Sequence, residues 1–180
     1  MRKDPIKSPN GFEWNEAFSY KDGFIYWKSR DRSEFDTDRQ FTAWHTRNLG
    51  NRAGTTHNSH QMVMFHKRLY MLHRIIWQMH FGPIPDNMVI DHINCISTDN
   101  RIENLRLATR QENNRNRRPV RGSKSGYKGV SWISSAQRWR AQIVVDNKTE
   151  HIGQFKCPLR AHLAYVKRSR ELFGNFARHQ

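Results

Sequence analysis

Asp91 and His92 are the residues of this chain whose types and adjacency point most directly to chemistry. A carboxylate holds a hard divalent cation well, and an imidazole near neutrality takes a proton from water. Together they suit phosphodiester hydrolysis, in which a cation polarises the phosphate and offsets charge on the leaving oxygen. The reaction also needs a nucleophile and convergent geometry, which two sequence neighbours do not supply. Other polar candidates carry less. The spacing of His57, His60 and His66 suits surface or strand positions better than a second metal site. Cys95 and Cys157 are too far apart for the paired Cys-x-x-Cys of a structural zinc site, and no zinc is expected.

The elements that must position the pair are readable on both sides of it. Met88-Val89-Ile90 makes a short apolar approach to Asp91. Before it, Leu72, Ile75, Ile76 and Met79 keep helical spacing that ends near Gly82, with Pro83 and Pro85 beyond. Residues 62–71 read as strands or a hairpin. Further back, Asp22-Gly23 between two aromatic runs is a hairpin signal, and Arg30 to Arg39 reads as a loop. After the pair, Thr109 is placed to cap a helix, with Glu112 at its third position completing a capping box.

The stretches HRIIWQMHFGPIP and IDHINCISTDNRIENLRLATRQENNRN resemble the histidine–asparagine–histidine class of ββα-metal endonucleases. The resemblance is closest to the phage and intron-borne homing or nicking group, whose last motif residue is asparagine. It rests on Asn94, Asp99-Asn100-Arg101, Asn104-Leu105-Arg106 and Glu112-Asn113 as well as on the Asp-His pair. It implies a strand leading to the pair, a loop and second strand, and a helix with the last metal ligand. His92 is then the general base, and Asp91 and Asn113 hold one divalent cation, Mg or Mn. Asn104 is the middle asparagine, tying the loop together and orienting His92. Asn100 reads as a turn residue, and helix phase alone separates Asn113 from Asn114 and Asn116. Cys95 and Ile96 depart from the family, which commonly has glycine and a polar residue there. His73 and Arg74 sit where the family often has a His-Arg pair.

The charge balance agrees with a polyanionic partner. Lys and Arg total 31 against 16 Asp and Glu, a formal charge of +15. Nucleic acid ranks above an anionic membrane, with ribosomal or nucleoid packing as a blander variant. No apolar run approaches the roughly eighteen residues of a membrane span. The opening MRKDPIKSPNG is no signal-peptide core, and two cysteines make a cell interior the default compartment. Between Arg110 and Arg140 stand nine basic residues and one acid, Glu112. Pro119, Gly122 and Gly126 mark a linker there, and Arg117 and Arg118 are candidates for tracking a phosphate backbone.

The C-terminal segment reads as three short antiparallel strands and a helix after Pro158. Alternation puts Trp139, Ala141 and Ile143 on one sheet face and Arg138, Arg140 and Gln142 on the other. Leu159, Leu163 and Val166 are spaced to share the helix's apolar side, with His162 at its margin and Ala161 mostly opposite. YKGVSW, RWRAQI, HIGQF and AHLAYVKRSRELFGNFA resemble the DNA-binding domain of plant ethylene-response transcription factors (AP2-like). A version of that domain also ends phage endonucleases. The resemblance implies a sheet laid in the major groove, with Arg and Gln donors for base edges. Lys128, Trp132, Thr149 and His151 are further candidate contacts. Ser131 stands where plant members carry a second arginine, so their target sequence does not transfer.

The expected architecture is α+β. Residues 1–85 form a strand-rich scaffold ending in a helix, and 86–116 the ββα-metal core. Residues 117–123 are a basic linker, and 124–180 the three-stranded reader packed on one helix. The expected activity is sequence-directed nicking of double-stranded DNA by a monomer, with no membrane partner. The site of action is the cytoplasm of an infected bacterium if a phage encodes the chain. The alternative is a noncatalytic sequence-specific DNA-binding regulator, which the intact Asp91, His92 and Asn113 argue against.

Overall fold

The computed structural model describes residues 14–115, 123–146 and 148–177. It divides into two compact units, Met1–Thr109 and Arg110–Gln180. Of the basic linker, all but Ser123 lies outside the described residues, as do Arg117 and Arg118.

The first unit opens with a helical turn, α1 (Trp14–Ala17), and a hairpin of β1 (Phe18–Lys21) and β2 (Phe24–Trp27). Asp22 and Gly23 turn the chain with φ of 49° and 82°, the positive pair that a two-residue hairpin requires. A capped 3₁₀ turn at Arg32–Glu34 follows, then α2 (Asp38–Asn48). Part of the expected Arg30–Arg39 loop is therefore helical, and the scaffold contains a helix where strands were expected. No residue of α2 is fully buried, so it lacks the strong apolar stripe that announces a helix. Its signals are subtler. Thr37 caps it by accepting from the Gln40 amide at 3.2 Å, and Trp44 sits edge-on to Trp27.

β3 (Arg52–Ala53) joins the first hairpin as its third strand. β4 (Thr55–His57), β5 (His60–Phe65) and β6 (Arg68–Met71) form a second three-stranded antiparallel meander. The hairpin expected at residues 62–71 is present, and it turns at His66-Lys67, both left-handed. α3 (Leu72–Phe81) follows at once and stops at Gly82, whose φ is 78°. Leu72, Ile75 and Ile76 face the core with Trp14, Phe18, Ile25, Val63 and Phe65. β7 (Met88–His92) and β8 (Leu105–Thr109) pair antiparallel, and Ile90 and Leu105 join the same core.

The second unit begins with α4 (Arg110–Arg115). β9 (Val130–Ile133), β10 (Arg138–Val145) and β11 (Lys148–Phe155) form an antiparallel sheet with β10 central, backed by α5 (Pro158–Phe173). Trp139, Ala141 and Ile143 pack toward α5 as the alternation predicts. The helix presents a different side from the one expected. Leu159 and Leu163 are exposed, at 49% and 58%, while Ala161, His162, Tyr165 and Ser169 are buried. Close approach explains the inversion. A Cβ on Gly129 would lie 2.3 Å from the Tyr165 ring, and Ala141 and Ala161 are wholly buried, so glycine and alanine make room for Tyr165 to take the inner side. His162 is buried too, stacked on Tyr127 with ring centroids 4.5 Å apart.

No helix among the described residues is long and apolar enough to cross a membrane.

Candidate functional site

The β7–β8 pairing places Asp91 directly opposite Arg106, so their side chains share one face. Arg106 donates through Nε, at 2.8 Å, to Asp91 Oδ2, and a second guanidinium nitrogen reaches the same oxygen at 2.8 Å. Both side chains are largely buried, which gives the pair a defined geometry that a surface ion pair lacks.

His92, one residue on, points to the opposite side of the strand. Its ring donates from Nε2 to Asn100 Oδ1 at 2.9 Å, and Asn100 Nδ2 donates in turn to Gln61 Oε1 at 2.9 Å. With the Asn100 and Gln61 amides oriented in this way, Nε2 carries the hydrogen and Nδ1 the lone pair. Burial holds the His92 imidazole below its ordinary value, against the raising influence of Asn100, Asp91 and Asp99, while His60 adds to the lowering. His73, from the first turn of α3, lies edge-on to His92 with centroids 5.1 Å apart, and His60 lies 6.2 Å from His73. Burial pushes His73 well below the usual imidazole range, and its Nδ1 has no hydrogen-bond partner among the described residues.

The loop between the strands is tied by Asn104. Its Oδ1 accepts from the Asn94 amide at 3.0 Å, and its Nδ2 donates to Asn94 Oδ1 at 3.0 Å and to the Asp99 carbonyl at 2.7 Å. Asp99 accepts from Arg101 and Asn94, and the Arg101 bond does most to pull its carboxyl down to about 2. The His92–Cys95 turn closes with the Cys95 amide donating to the His92 carbonyl at 2.8 Å, and Cys95 is left-handed at φ 57°. That conformation explains why a glycine would suit the position.

The scaffold braces this loop from two directions. Tyr20 Oη accepts from the Ile102 amide at 3.1 Å, and a Cβ on Gly23 would come within 2.8 Å of the Arg101 nitrogen. On the other side, Ser97 Oγ donates to the Ser59 carbonyl in the β4–β5 turn.

Asp91, His92 and Asn104 are thus brought together in one unit. Asn113 lies on α4, in the second unit. The side-chain bond to His92 Nε2 comes from Asn100, which sequence reading took for a turn residue, and its supporter Gln61 was not singled out. Asn100 is 1% exposed, a burial no local signal reports.

In the second unit, strand register assembles Arg138, Arg140, Gln142, Thr149 and His151 on the sheet face away from α5. Trp132 lies opposite Trp139, with centroids 5.0 Å apart, on the helix-side face and apart from those residues. Lys128 precedes β9. Arg140 Nε and Ser131 Oγ, on directly paired residues, are buried without partners among the described residues.

A family model described as HNH endonuclease matches residues 70–115. Protein 3.8 of Escherichia phage T7 is 34% identical over 106 residues, covering 59% of this chain and 87% of that protein. The uncharacterized HNH endonuclease L560 of Acanthamoeba polyphaga mimivirus is 36% identical over 107 residues. That match covers 59% of this chain and 54% of the relative, so the chain spans about half the mimivirus protein. No solved structure matches the chain.

Proposed function

Because the chain belongs to the HNH endonuclease family, we propose that it hydrolyses phosphodiester bonds of double-stranded DNA with one divalent cation, nicking a single strand. The observation that carries this reading is the buried His92–Asn100 bond inside the family-matched segment, which makes Nδ1 the basic nitrogen. In the reaction, His92 Nδ1 takes a proton from water as the water oxygen attacks phosphorus and the bond to the leaving oxygen breaks.

The donor set suits a hard ion. Asp91 and Asn113 offer oxygen, the donor atom that hard cations prefer. Mg or Mn, which keep much of their water, fit such donors. Asp91 and Asn113 are the ligands that the family resemblance implies for the ion. When bound, the cation would polarise the scissile phosphate and offset charge on the leaving oxygen. Arg106 fixes the rotation of the Asp91 carboxylate, and Asn104 keeps the loop in shape for both neighbours.

We assign site choice to the second unit, read as an AP2-like module. Arg138, Arg140, Gln142, Thr149 and His151 face the groove, and Lys128, Arg117 and Arg118 attract the backbone. Trp132 then acts by supporting the sheet. A single nuclease core bound asymmetrically as a monomer cuts one strand. The phage origin of one relative favours action in the cytoplasm of an infected bacterium.

The test is a supercoiled plasmid carrying host or phage DNA, incubated with Mg, with Mn, or with a chelator. The open-circular form should appear before the linear form with either ion and not with the chelator. Linear product without a nicked precursor would replace nicking by double-strand cleavage, and cutting in chelator would remove the metal.

A further inference from the structure

The outward face of the β9–β10–β11 sheet carries one apolar residue among hydrogen-bonding ones. Ala141 and Ile143 are buried against α5, so strand alternation turns Gln142 and Val144 outward. Val144 is 56% exposed, and the register sets it directly opposite Thr149, which is exposed as well. Arg138, Arg140, Gln142 and Val144 thus form one row along β10, three hydrogen-bonding side chains and then an apolar one. A single exposed valine is ordinary in itself, and it is the company of this one that gives it meaning.

Two observations mark that company as suited to nucleic acid. The second unit holds 16 of the chain's 31 Lys and Arg and only four of its 16 acids, so a polyanion is drawn to it. Within that unit, β9, β10 and β11 contain a single acid, Glu150. It lies opposite Ile143 on the helix side, where Arg168 of α5 binds it at 2.6 Å. No carboxylate of the three strands therefore faces outward, whereas Arg138 and Arg140 do.

In the major groove, guanine, cytosine and adenine offer only hydrogen-bonding groups, and thymine alone in unmodified DNA adds an apolar methyl. An apolar side chain in a row of donors has that one group to match. Resting on the assignment of site choice to this unit, we propose that Val144, with Thr149 beside it, packs on a thymine methyl and so specifies one A·T pair of the target. Arginine and glutamine read the hydrogen-bonding edges of neighbouring pairs, and Val144 adds a contact that no other base of unmodified DNA supplies.

In the test, the full chain binds DNA with Ca in place of Mg, and preferred sites are selected from a random duplex pool. Each thymine of the selected site is then exchanged in turn for deoxyuridine, which removes the methyl and keeps the pairing with adenine. One exchange should weaken binding by the parent roughly fourfold, the effect of one buried methyl. Val144→Ala should bind the thymine duplex as weakly as the parent binds that deoxyuridine duplex, and should not respond to the exchange. Its melting temperature should stay close to the parent's. Leu163→Ala, at a similarly exposed apolar position on α5, should keep the parent's response. A parent indifferent to every exchange would overturn the inference alone, and so would a response that Val144→Ala retains. The parent's scan needs no variant, so it decides if Val144→Ala melts early. Failure to select any common sequence would remove the assignment of site choice itself, and the thymine contact with it.

Discussion

His92 and Asn100 are bonded, Nε2 to Oδ1 at 2.9 Å, with both residues buried and Asn100 anchored in turn by Gln61. This one contact orients the ring, and with Nε2 as the donor it leaves Nδ1 for the proposed proton transfer. Through Gln61 it also joins β7 to β5 across the unit, so the loop after β7 and the scaffold meander share a polar link. Buried amides left without partners cost about 1–3 kcal/mol, which makes the link sensitive to every member.

Replacing Asn100 by alanine should slow nicking by about 10–100-fold, the range found for second-layer partners of catalytic groups. DNA affinity, measured separately by anisotropy with Ca in place of Mg, should change little. Gln61→Leu should have a smaller effect in the same direction. A parental rate in Asn100→Ala would show that the ring is held by something else.

The rate profile should extend into acid. With the folded-state value of His92 lowered by burial, the base form persists below the usual imidazole midpoint near pH 6.5. The acidic limb of kcat/KM should therefore fall below that midpoint, with the rate level above it. A limb centred above about pH 7 would contradict a buried neutral base.

Stability should carry the signature of His73. Its folded-state value is depressed, so as pH falls the unfolded chain binds the proton first. The full stability is present above about pH 6.5 and is lost as pH drops below it. His73→Met, which keeps the bulk, should flatten the decline in urea midpoint between about pH 7 and 5. Some slope should remain, because His92 is depressed too. An unchanged slope would mean that His73 is not the group being titrated.

Cys95 should be better as glycine for folding. A left-handed side-chain residue costs about 1–2 kcal/mol, and glycine gives back about 0.5–1 kcal/mol in entropy. Cys95→Gly should therefore raise the melting temperature slightly, by the equivalent of about 0.5 kcal/mol. A fall would mean that side-chain contacts of Cys95 outweigh the backbone strain.

Local signals carried much of this fold. Asp22-Gly23 announced its hairpin, Gly82 its helix end, and the apolar run to Ile90 its strand, because each is decided within a few residues. The Asp-His pair was legible for the same reason. What stayed hidden depends on distance. The Asn100–Gln61 bond joins residues 39 positions apart, so nothing near Asn100 distinguishes a buried clamp from a turn. The helix α5 misled because apolar spacing assumes that its leucines face inward. Instead Tyr165, seated against Gly129, fills the inner side with Ala161, His162 and Ser169, while two leucines face solvent. α2 escaped because its aromatic contacts reach other segments of the scaffold and its own sequence is mostly polar.

The central claim is that His92 is the general base of a nicking reaction. The most direct measurement is the single-turnover rate of plasmid nicking with Mg for the parent and for His92→Ala, at matched DNA occupancy. The account predicts open-circular product from the parent and a rate lower by about 10²–10⁴-fold in the variant, with binding retained. Equal rates would contradict it and place the proton transfer on another group.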